Sequence, residues 1–571
     1  MNQNKNSEDL IRLPHGVSDF KKLVQGNYRF VDKTLFIKDI INDGADVILV
    51  TRPRRFGKTL NLSMLYYFLK YQDEEEKGEN LFQDLEIAKH KDFCQKHQHQ
   101  YQVIFISFKD IKQTSYDKAY EEIVGLIRKL YSAHRYLLED DLLHSDEKKY
   151  FLSILNKQAG ESDVTDAIQQ LSEYMSKKFK KSPIILIDEY DTPIQEAYLK
   201  NYYEDMIDSM TDIFGKALKD NDYLRKAIVT GITRVSQESL FSGVNNIMVY
   251  SLLREKYGQY FGFTESEVLK LIEDTKQKIH IKEIRKWYNG YLVGKYVLYN
   301  PWSIISCISN NGELCPYWIN TSSNALIGKL LTTASDSVKH NLEKLLQKKS
   351  IIQPLFENLV FPDIKKRAGA LWSLLLYAGY LKVLSTEIKN RKLIATLAVP
   401  NEEIFFVYDA VIDRWLEETV DTESYDKFLT SLDNGDLEKF KMYLSSYIMQ
   451  SGSFFDFNSN AMEQTFHVFI LGLVVGLRDR YYIYSNRESG IGRFDVILIP
   501  HDKQKRGILL EFKTASNDSD LQNKAKEALD QIKDQQYFEE FKQHKVNKIL
   551  AIGLAFFSKQ VELVYENINL R

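Results

Sequence analysis

Val47-Ile48-Leu49-Val50-Thr51-Arg52-Pro53-Arg54-Arg55-Phe56-Gly57-Lys58-Thr59 runs directly into Leu60-Asn61-Leu62-Ser63-Met64-Leu65. The aliphatic run Val47 to Val50 predicts a buried parallel strand. A turn follows, then a helix whose first residues are Lys58 and Thr59, which is the layout of a phosphate-binding loop. In such a loop backbone N–H groups cradle phosphates at the helix N-terminus, the lysine meets the β/γ oxygens and the Thr hydroxyl ligates Mg²⁺. The usual first glycine of GxxxxGK[ST] is replaced by Arg52, and Pro53 pre-sets one turn angle beside it. Arg52, Pro53, Arg54, Arg55, Phe56, Gly57, Lys58 and Thr59 are therefore the candidate nucleotide loop, with ATP and Mg²⁺ as expected cofactors. The competing explanation is a chance Gly-Lys-Thr at a helix start, and the flanking strand and helix speak against it.

Two later strands extend this reading. Pro183-Ile184-Ile185-Leu186-Ile187-Asp188-Glu189-Tyr190-Asp191 is an apolar run closing on acids. Asp188 is placed to hold Mg²⁺ and Glu189 to polarise the attacking water. Alone, such a run is a weak signal; behind a phosphate loop the two reinforce each other. Ala227-Ile228-Val229-Thr230-Gly231 ends in a polar residue and is followed by Thr233 and Arg234. Thr230 is the candidate γ-phosphate sensor, from a strand expected between the loop strand and the Asp188 strand. Arg234 is the candidate arginine finger in cis, weighed against an ordinary surface arginine. A further strand, Val103 to Phe108, and helices over 117–134 and 164–179 complete an α/β pattern of alternating elements.

Composition sets the bounds. A chain of 571 residues with 44% hydrophobic and 27% charged residues is expected to be a soluble protein of several domains. A net charge of −3 leaves no global field for nucleic acid, so contacts would come from local patches. Cys94, Cys307 and Cys315 have no zinc spacing, which fits a reducing, cytoplasmic compartment. Met1 to Leu10 lacks the apolar stretch of a signal peptide, and the run Phe466 to Leu477 is too short to cross a bilayer.

The order of several motifs is more specific than any one of them. Leu13-Pro14-His15-Gly16-Val17-Ser18-Asp19-Phe20, Val31-Asp32-Lys33-Thr34, the Arg52–Thr59 loop, Ile187-Asp188-Glu189-Tyr190-Asp191 and Gly231-Ile232-Thr233-Arg234-Val235 occur in sequence. Together they resemble the AAA-ATPase-like family of bacterial predicted ATPases, in which an Arg-Pro-Arg-Arg loop stands where other families carry glycine. The resemblance covers the first half of the chain and implies a P-loop ATPase fold. Asp32 is read as the N-cap of a helix running to Ile41 and closed by Gly44.

In the middle, Thr264 and Glu267 form a capping box, and the Tyr288–Tyr291 stretch around Asn289-Gly290 reads as a hairpin turn. Its rings are assigned to core packing in preference to base stacking. A helix over 371–381 and two strands, 382–384 and 392–397, are compatible with a winged-helix unit. Residues 401–448 read as helical.

The C-terminal part carries a second constellation. Phe466, Phe469, Ile470, Leu473 and Leu477 make an apolar helical stripe, and Glu463 and His467 share another line of that helix. A strand holding Asp495 is followed by a polar turn and the strand Gly507-Ile508-Leu509-Leu510-Glu511-Phe512-Lys513. Period-two parity puts Glu511 and Lys513 on one face. Carboxylates hold a hard Mg²⁺, and a lysine contacts the scissile phosphate or orients water. Asp, hairpin, then Glu-x-Lys resembles the PD-(D/E)xK nuclease core, although Phe494 stands where the motif name has proline. The resemblance implies Glu463 as a helical acid, and downstream Gln531 and Tyr537 lie on or near a helix expected over 524–541, where the superfamily often has an active-site glutamine.

The expected fold class is α/β: a P-loop parallel sheet with an additional strand over 1–255, a mostly helical middle over 256–450, and a nuclease-like α/β domain over 451–571. The expected activity is ATP hydrolysis coupled to a Mg²⁺-dependent nuclease on DNA or RNA. Defence against mobile elements and nucleic-acid processing are the settings considered. The catalytic candidates are Glu189, Arg234, Glu463, Asp495, Glu511 and Lys513; the metal candidates are Thr59, Asp188, Asp495 and Glu511. The alternative is a nucleotide-regulated switch that binds nucleic acid or protein through an inactive nuclease-like domain. No membrane partner is expected, and a homo-oligomer is among the expected assemblies.

Overall fold

A computed structural model describes residues 11–72, 80–139, 142–219, 221–233, 247–318, 336–346, 348–358, 361–364, 367–408, 422–451, 469–470, 473–489, 492–534 and 538–570. The chain forms two compact units, one of residues 1–321 with 352–403, the other of residues 322–351 with 404–571.

The first unit is built on five strands: β1 (Val47–Thr51), β2 (Val103–Ser107), β3 (Ile184–Asp188), β4 (Lys226–Gly231) and β5 (Ile247–Tyr250), in the order β2-β3-β4-β1-β5. All the pairings are parallel, in the registers Val50↔Thr230, Leu186↔Ile228, Ile106↔Ile187 and Val50↔Tyr250. Parallel strands need crossovers, so both faces of the sheet are covered by chain and the central strands carry aliphatic runs that end in polar residues. β1, β3 and β4 are buried at every position, as their unbroken aliphatic runs require. β4 inserts between β1 and β3, the place expected for the additional strand. The C-terminal ends of β1, β3 and β4 therefore meet, and that edge is where such sheets bind ligands.

The N-terminal motif braces the helix after the loop. Asp19 caps the helix Phe20–Gln25, and Tyr67 Oη of the loop helix donates to Asp19 at 2.9 Å. Asp32 corrects the capping expectation. The helix it precedes spans Leu35–Ile41 with Thr34 as N-cap and Asn42, not Gly44, as C-cap. Asp32 instead accepts from Thr34 N and Glu86 N, tying two segments together.

In the middle, Thr264 and Glu267 form the capping box of the helix Glu265–Asp274. The Asn289-Gly290 expectation fails: Tyr288 ends a helix, and the hairpin is β6 (Tyr291–Val293) with β7 (Tyr296–Leu298), turning at Gly294 and Lys295. Gly294, at φ +56°, supplies the left-handed conformation that this tight turn needs. Tyr288 and Tyr291 are buried, so packing is their role. A three-stranded sheet follows from β8 (Ile351–Pro354), β9 (Lys382–Lys389) and β10 (Lys392–Ala398), ordered β8-β10-β9, with the helix Ala368–Ala378 ahead of the β9–β10 hairpin.

The second unit holds the helices Thr422–Asn434 and Leu437–Ser451 and a five-stranded sheet. Its strands are β11 (Tyr481–Ser489), β12 (Gly492–Pro500), β13 (Gly507–Thr514), β14 (Lys548–Phe557) and β15 (Gln560–Asn569), in sequence order. Only β13 and β14 pair in parallel, and the helix Leu521–Asp534 makes the crossover that this requires. One face of the sheet packs Val496, Leu498, Leu510 and Phe512 against Phe428, Phe440, Phe469, Ile470 and Leu473. The other packs Ile497, Leu509, Ile549 and Ala551 against Leu529 and Ile532 of the crossover helix. No helix among the described residues is long and apolar enough to cross a membrane.

Candidate functional sites

At the C-terminal edge of the first sheet, the helix Lys58–Leu69 begins after Gly57, whose φ of +81° a side chain would strain. Lys58 Nζ donates to the carbonyls of Arg52 at 3.1 Å and Pro53 at 2.9 Å, inside its own loop. Burial lowers its pKa, opposed by the charges of Glu189, Asp188 and Asp191. Thr59 Oγ1 donates to Asp188 Oδ2 at 2.7 Å, and Thr230 Oγ1 donates to Asp188 Oδ1 at 2.7 Å. Loop helix, β3 and β4 thus meet at one fully buried carboxylate, whose pKa burial raises. A buried acid flanked by two hydroxyls is a fitting donor set for a hard cation, and the nearby Lys58 ammonium suits phosphates.

Glu189 follows at φ +51°, and Arg55 across the loop has φ +65°. A non-glycine residue in this region costs about 1–3 kcal/mol and persists where surroundings enforce it. Here Tyr190 N donates to Thr230 O, turning the chain sharply after Asp188. Asp191 lies beneath, fully buried. Its Oδ2 accepts from Ile232 N, Thr233 N, Thr233 Oγ1 and Gln195 Nε2. Asp191 therefore holds the segment after β4 rather than facing solvent as a base.

The arginines of the loop point different ways. The Arg52 side chain is fully buried and donates to the carbonyls of Thr51 and Tyr250, bracing β1 against β5; burial lowers its pKa to about 9. Only its backbone is left to face a ligand. Arg55 stacks over Trp302 at 4.2 Å, and Phe56 meets Tyr291 edge-on at 5.0 Å. Trp318 Nε1 donates to Arg54 O at 3.4 Å. The loop is thus seated on the middle region of its own unit.

In the second sheet, β12 and β13 pair as Val496↔Leu510 and Leu498↔Ile508, and the ladder stops one residue short of Asp495 and Glu511. Side chains take over there. Asp495 Oδ2 accepts from Phe512 N at 2.7 Å, and Glu511 Oε2 accepts from Asp495 N at 3.3 Å. Ile497 and Leu509 face the crossover helix, so alternation places Asp495, Glu511 and Lys513 on that same face. Gln531 of the crossover helix donates from Nε2 to Glu511 Oε1. The helix comes this close because Gly553 lies opposite Glu511 on β14, and a Cβ at Gly553 would strike the backbone of Ala525 and Leu529. Two apposed carboxylates, an amide and a lysine on one face suit a divalent cation and a phosphodiester. Among the described residues no cluster of three or more His, Cys, Asp or Glu converges as a metal site.

Residues 14–241 match the family model described as predicted AAA-ATPase, and residues 461–566 match that of the PD-(D/E)XK nuclease superfamily. This chain carries an ATPase-like domain and a PD-(D/E)XK nuclease-family domain. An uncharacterized protein in the vnfD 5′ region of Azotobacter chroococcum mcd 1 is 26% identical over 411 residues, covering 71% of each chain. The Walker-type ATPase PABY2304 of Pyrococcus abyssi aligns over 70% of this chain and 98% of its own, at 11% identity and a TM-score of 0.36.

In the ATPase-like domain the fold gathers Lys58, Thr59, Asp188, Glu189 and Thr230 at one sheet edge; Arg234 lies outside the described residues. In the nuclease-family domain it gathers Asp495, Glu511 and Lys513 on one face, while Glu463, His467 and Tyr537 lie outside the described residues. Sequence reasoning passed over Gly553 and Trp318. A glycine among the aliphatics of Ile549-Leu550-Ala551-Ile552-Gly553-Leu554 was the available signal for the first. For Trp318, distant in sequence from the loop it touches, there was none.

Proposed function

We propose that this protein binds and hydrolyses ATP with Mg²⁺ and uses the nucleotide to control a Mg²⁺-dependent phosphodiesterase acting on DNA or RNA. The observation that carries the reading is the apposition of Asp495 and Glu511 where the β12–β13 ladder ends, with Gln531 on Glu511. It supports a cation-binding nuclease centre in a domain of that superfamily. In the ATPase half, Lys58 and the loop N–H groups bind the β/γ-phosphates. Thr59 and Asp188 hold Mg²⁺, Glu189 orients the attacking water, and Thr230 senses the γ-phosphate through Asp188. Arg234 acts as the finger in cis, and Glu463 supplies a further acid of the nuclease. Mg²⁺, once bound, neutralises charge on the phosphates and lowers the pKa of a bound water. Asp495 and Glu511 would hold the Mg²⁺ of the nuclease centre, and Lys513 would meet the scissile phosphate or orient the attacking water. The cytoplasm, with its reduced thiols, is the setting.

The test is a cleavage panel of single- and double-stranded DNA and RNA, with and without Mg²⁺ and ATP. Mg²⁺-dependent cutting lost in Glu511→Ala supports the reading. Salt-sensitive binding without cutting under every condition overturns it in favour of a nucleotide-regulated binding switch.

A further inference from the structure

We infer that the exposed aromatic face of β11, on the side of the sheet that carries Asp495 and Glu511, is a stacking platform for a single-stranded polynucleotide. The inference rests on the nuclease reading and names the form of its substrate.

β11 is the edge strand, and its alternate residues Tyr484 and Tyr482 pair with Ile497 and Ile499 of β12. Both partners belong to the core on the crossover-helix side, and Tyr484 packs against that core. The two tyrosines therefore share a face with Asp495. At a rise of about 3.4 Å per residue, Tyr484 lies roughly 7 Å and Tyr482 roughly 14 Å along the strands from the carboxylate pair. Tyr482 is 53% exposed. Its ring centre is 4.3 Å from that of His501 and 6.3 Å from that of His544, which in turn is 6.4 Å from Tyr484. Four rings thus make one patch leading away from the carboxylates.

Natural proteins blunt a free sheet edge with charges, bulges or proline, and an aromatic row there is a liability unless it serves a partner. The surroundings say which partner. His544 sits between exposed Lys542 and Lys545, and His501 is followed by Lys503, Lys505 and Arg506. Lys505 and Arg506, bound to Asp433 and to Asn434 O, line a separate cavity of about 420 Å³ with Tyr481, whose ring faces the other core, and with Lys548, Asn567 and Asn569. Asp433, the carboxylate of that cavity, is engaged by Arg480, Lys505 and the Tyr481 hydroxyl. Rings with exposed lysines beside them in sequence suit single strands, because only an unpaired strand offers base faces to stack while its phosphates meet cations.

The experiment uses the full chain without divalent ions, so that nothing is cut, and fluorescence anisotropy with mixed-sequence single-stranded DNA, single-stranded RNA and duplex DNA. Tyr482→Ala with His501→Ala alters only exposed side chains, and an unchanged melting curve checks the fold. Single-strand affinity is expected to fall about tenfold or more, with duplex affinity unchanged. Tyr482→Trp restores single-strand binding and Tyr482→Leu does not; the DNA and RNA arms show which polynucleotide is preferred. Unchanged single-strand affinity, an equal loss for duplex, or rescue by leucine as good as by tryptophan overturns the platform. Cleavage by Glu511→Ala equal to that of the parent defeats the nuclease reading instead, and the two failures are read in separate assays.

Discussion

Glu403 is fully buried, and its carboxylate accepts from Ser303 Oγ at 2.9 and 2.8 Å and from Trp318 N at 2.9 Å. Burial pushes its pKa from 4.5 up to about 8, against the lowering pull of those hydrogen bonds. Between these two values the folded chain keeps a proton that the unfolded chain has released. Stability therefore falls as pH rises across that window, by about 1.4 kcal/mol per pH unit, and is level on either side. Near neutral pH the accumulated cost is roughly 3 kcal/mol, an order-of-magnitude figure. Glu403→Gln mimics the protonated acid, with one acceptor and one donor group, and cannot titrate. It is expected to raise the melting midpoint by roughly 5–10 °C at about pH 8, with no gain near or below about pH 4.5. Tryptophan fluorescence follows the right unit, since Trp287, Trp302, Trp318 and Trp372 of the five tryptophans lie in it. A glutamine variant that melts with the parent's pH slope, or lower at every pH, refutes the reasoning. The site also bears on the nucleotide loop, because the Trp318 held by Glu403 donates its indole N–H to Arg54 O.

Lys58→Ala is expected to abolish ATP binding and hydrolysis while the melting curve is kept, checked by nucleotide titration and phosphate release. Glu189→Gln should bind ATP and hydrolyse it about 10²–10⁴-fold more slowly. Asp191→Asn should hydrolyse near the parental rate, since an amide oxygen can take the four donors now on Oδ2; the reverse order of the two rates would move the base to Asp191. Asp495→Ala and Glu511→Ala should lose cleavage and weaken Mg²⁺ binding, whereas Lys513→Ala loses cleavage alone, because an ammonium cannot ligate Mg²⁺. Gly553→Ala should push the crossover helix off β14 and so part Gln531 from Glu511; cleavage should drop with ATP hydrolysis unchanged, and equal cleavage would show that this contact does not matter.

Local order was legible from the residues alone wherever a strong periodic or capping signal coincided with a buried strand or helix end. The aliphatic runs before Arg52, Asp188 and Thr230 became β1, β3 and β4 because a chain of β-branched residues has little choice but a doubly covered parallel strand. The Thr264 capping box and the parity of Glu511 and Lys513 hold for the same reason: each rests on geometry within a few residues. Asn289-Gly290 misled because its turn signal was overridden by the helix ending at Tyr288, whose ring is buried in the core of its unit. Asp32 misled because its two oxygens had better donors in Thr34 and in distant Glu86 than a helix N-cap would offer. Tertiary structure alone decided what depends on residues far apart in sequence. It turned Arg52 inward to brace two strands, bound Asp191 to the segment after β4, brought Trp318 onto the phosphate loop and let Gly553 admit Gln531 to Glu511. A hydrogen bond acts over about 3 Å, and sequence spacing carries no record of which distant group the packed core will bring within that reach.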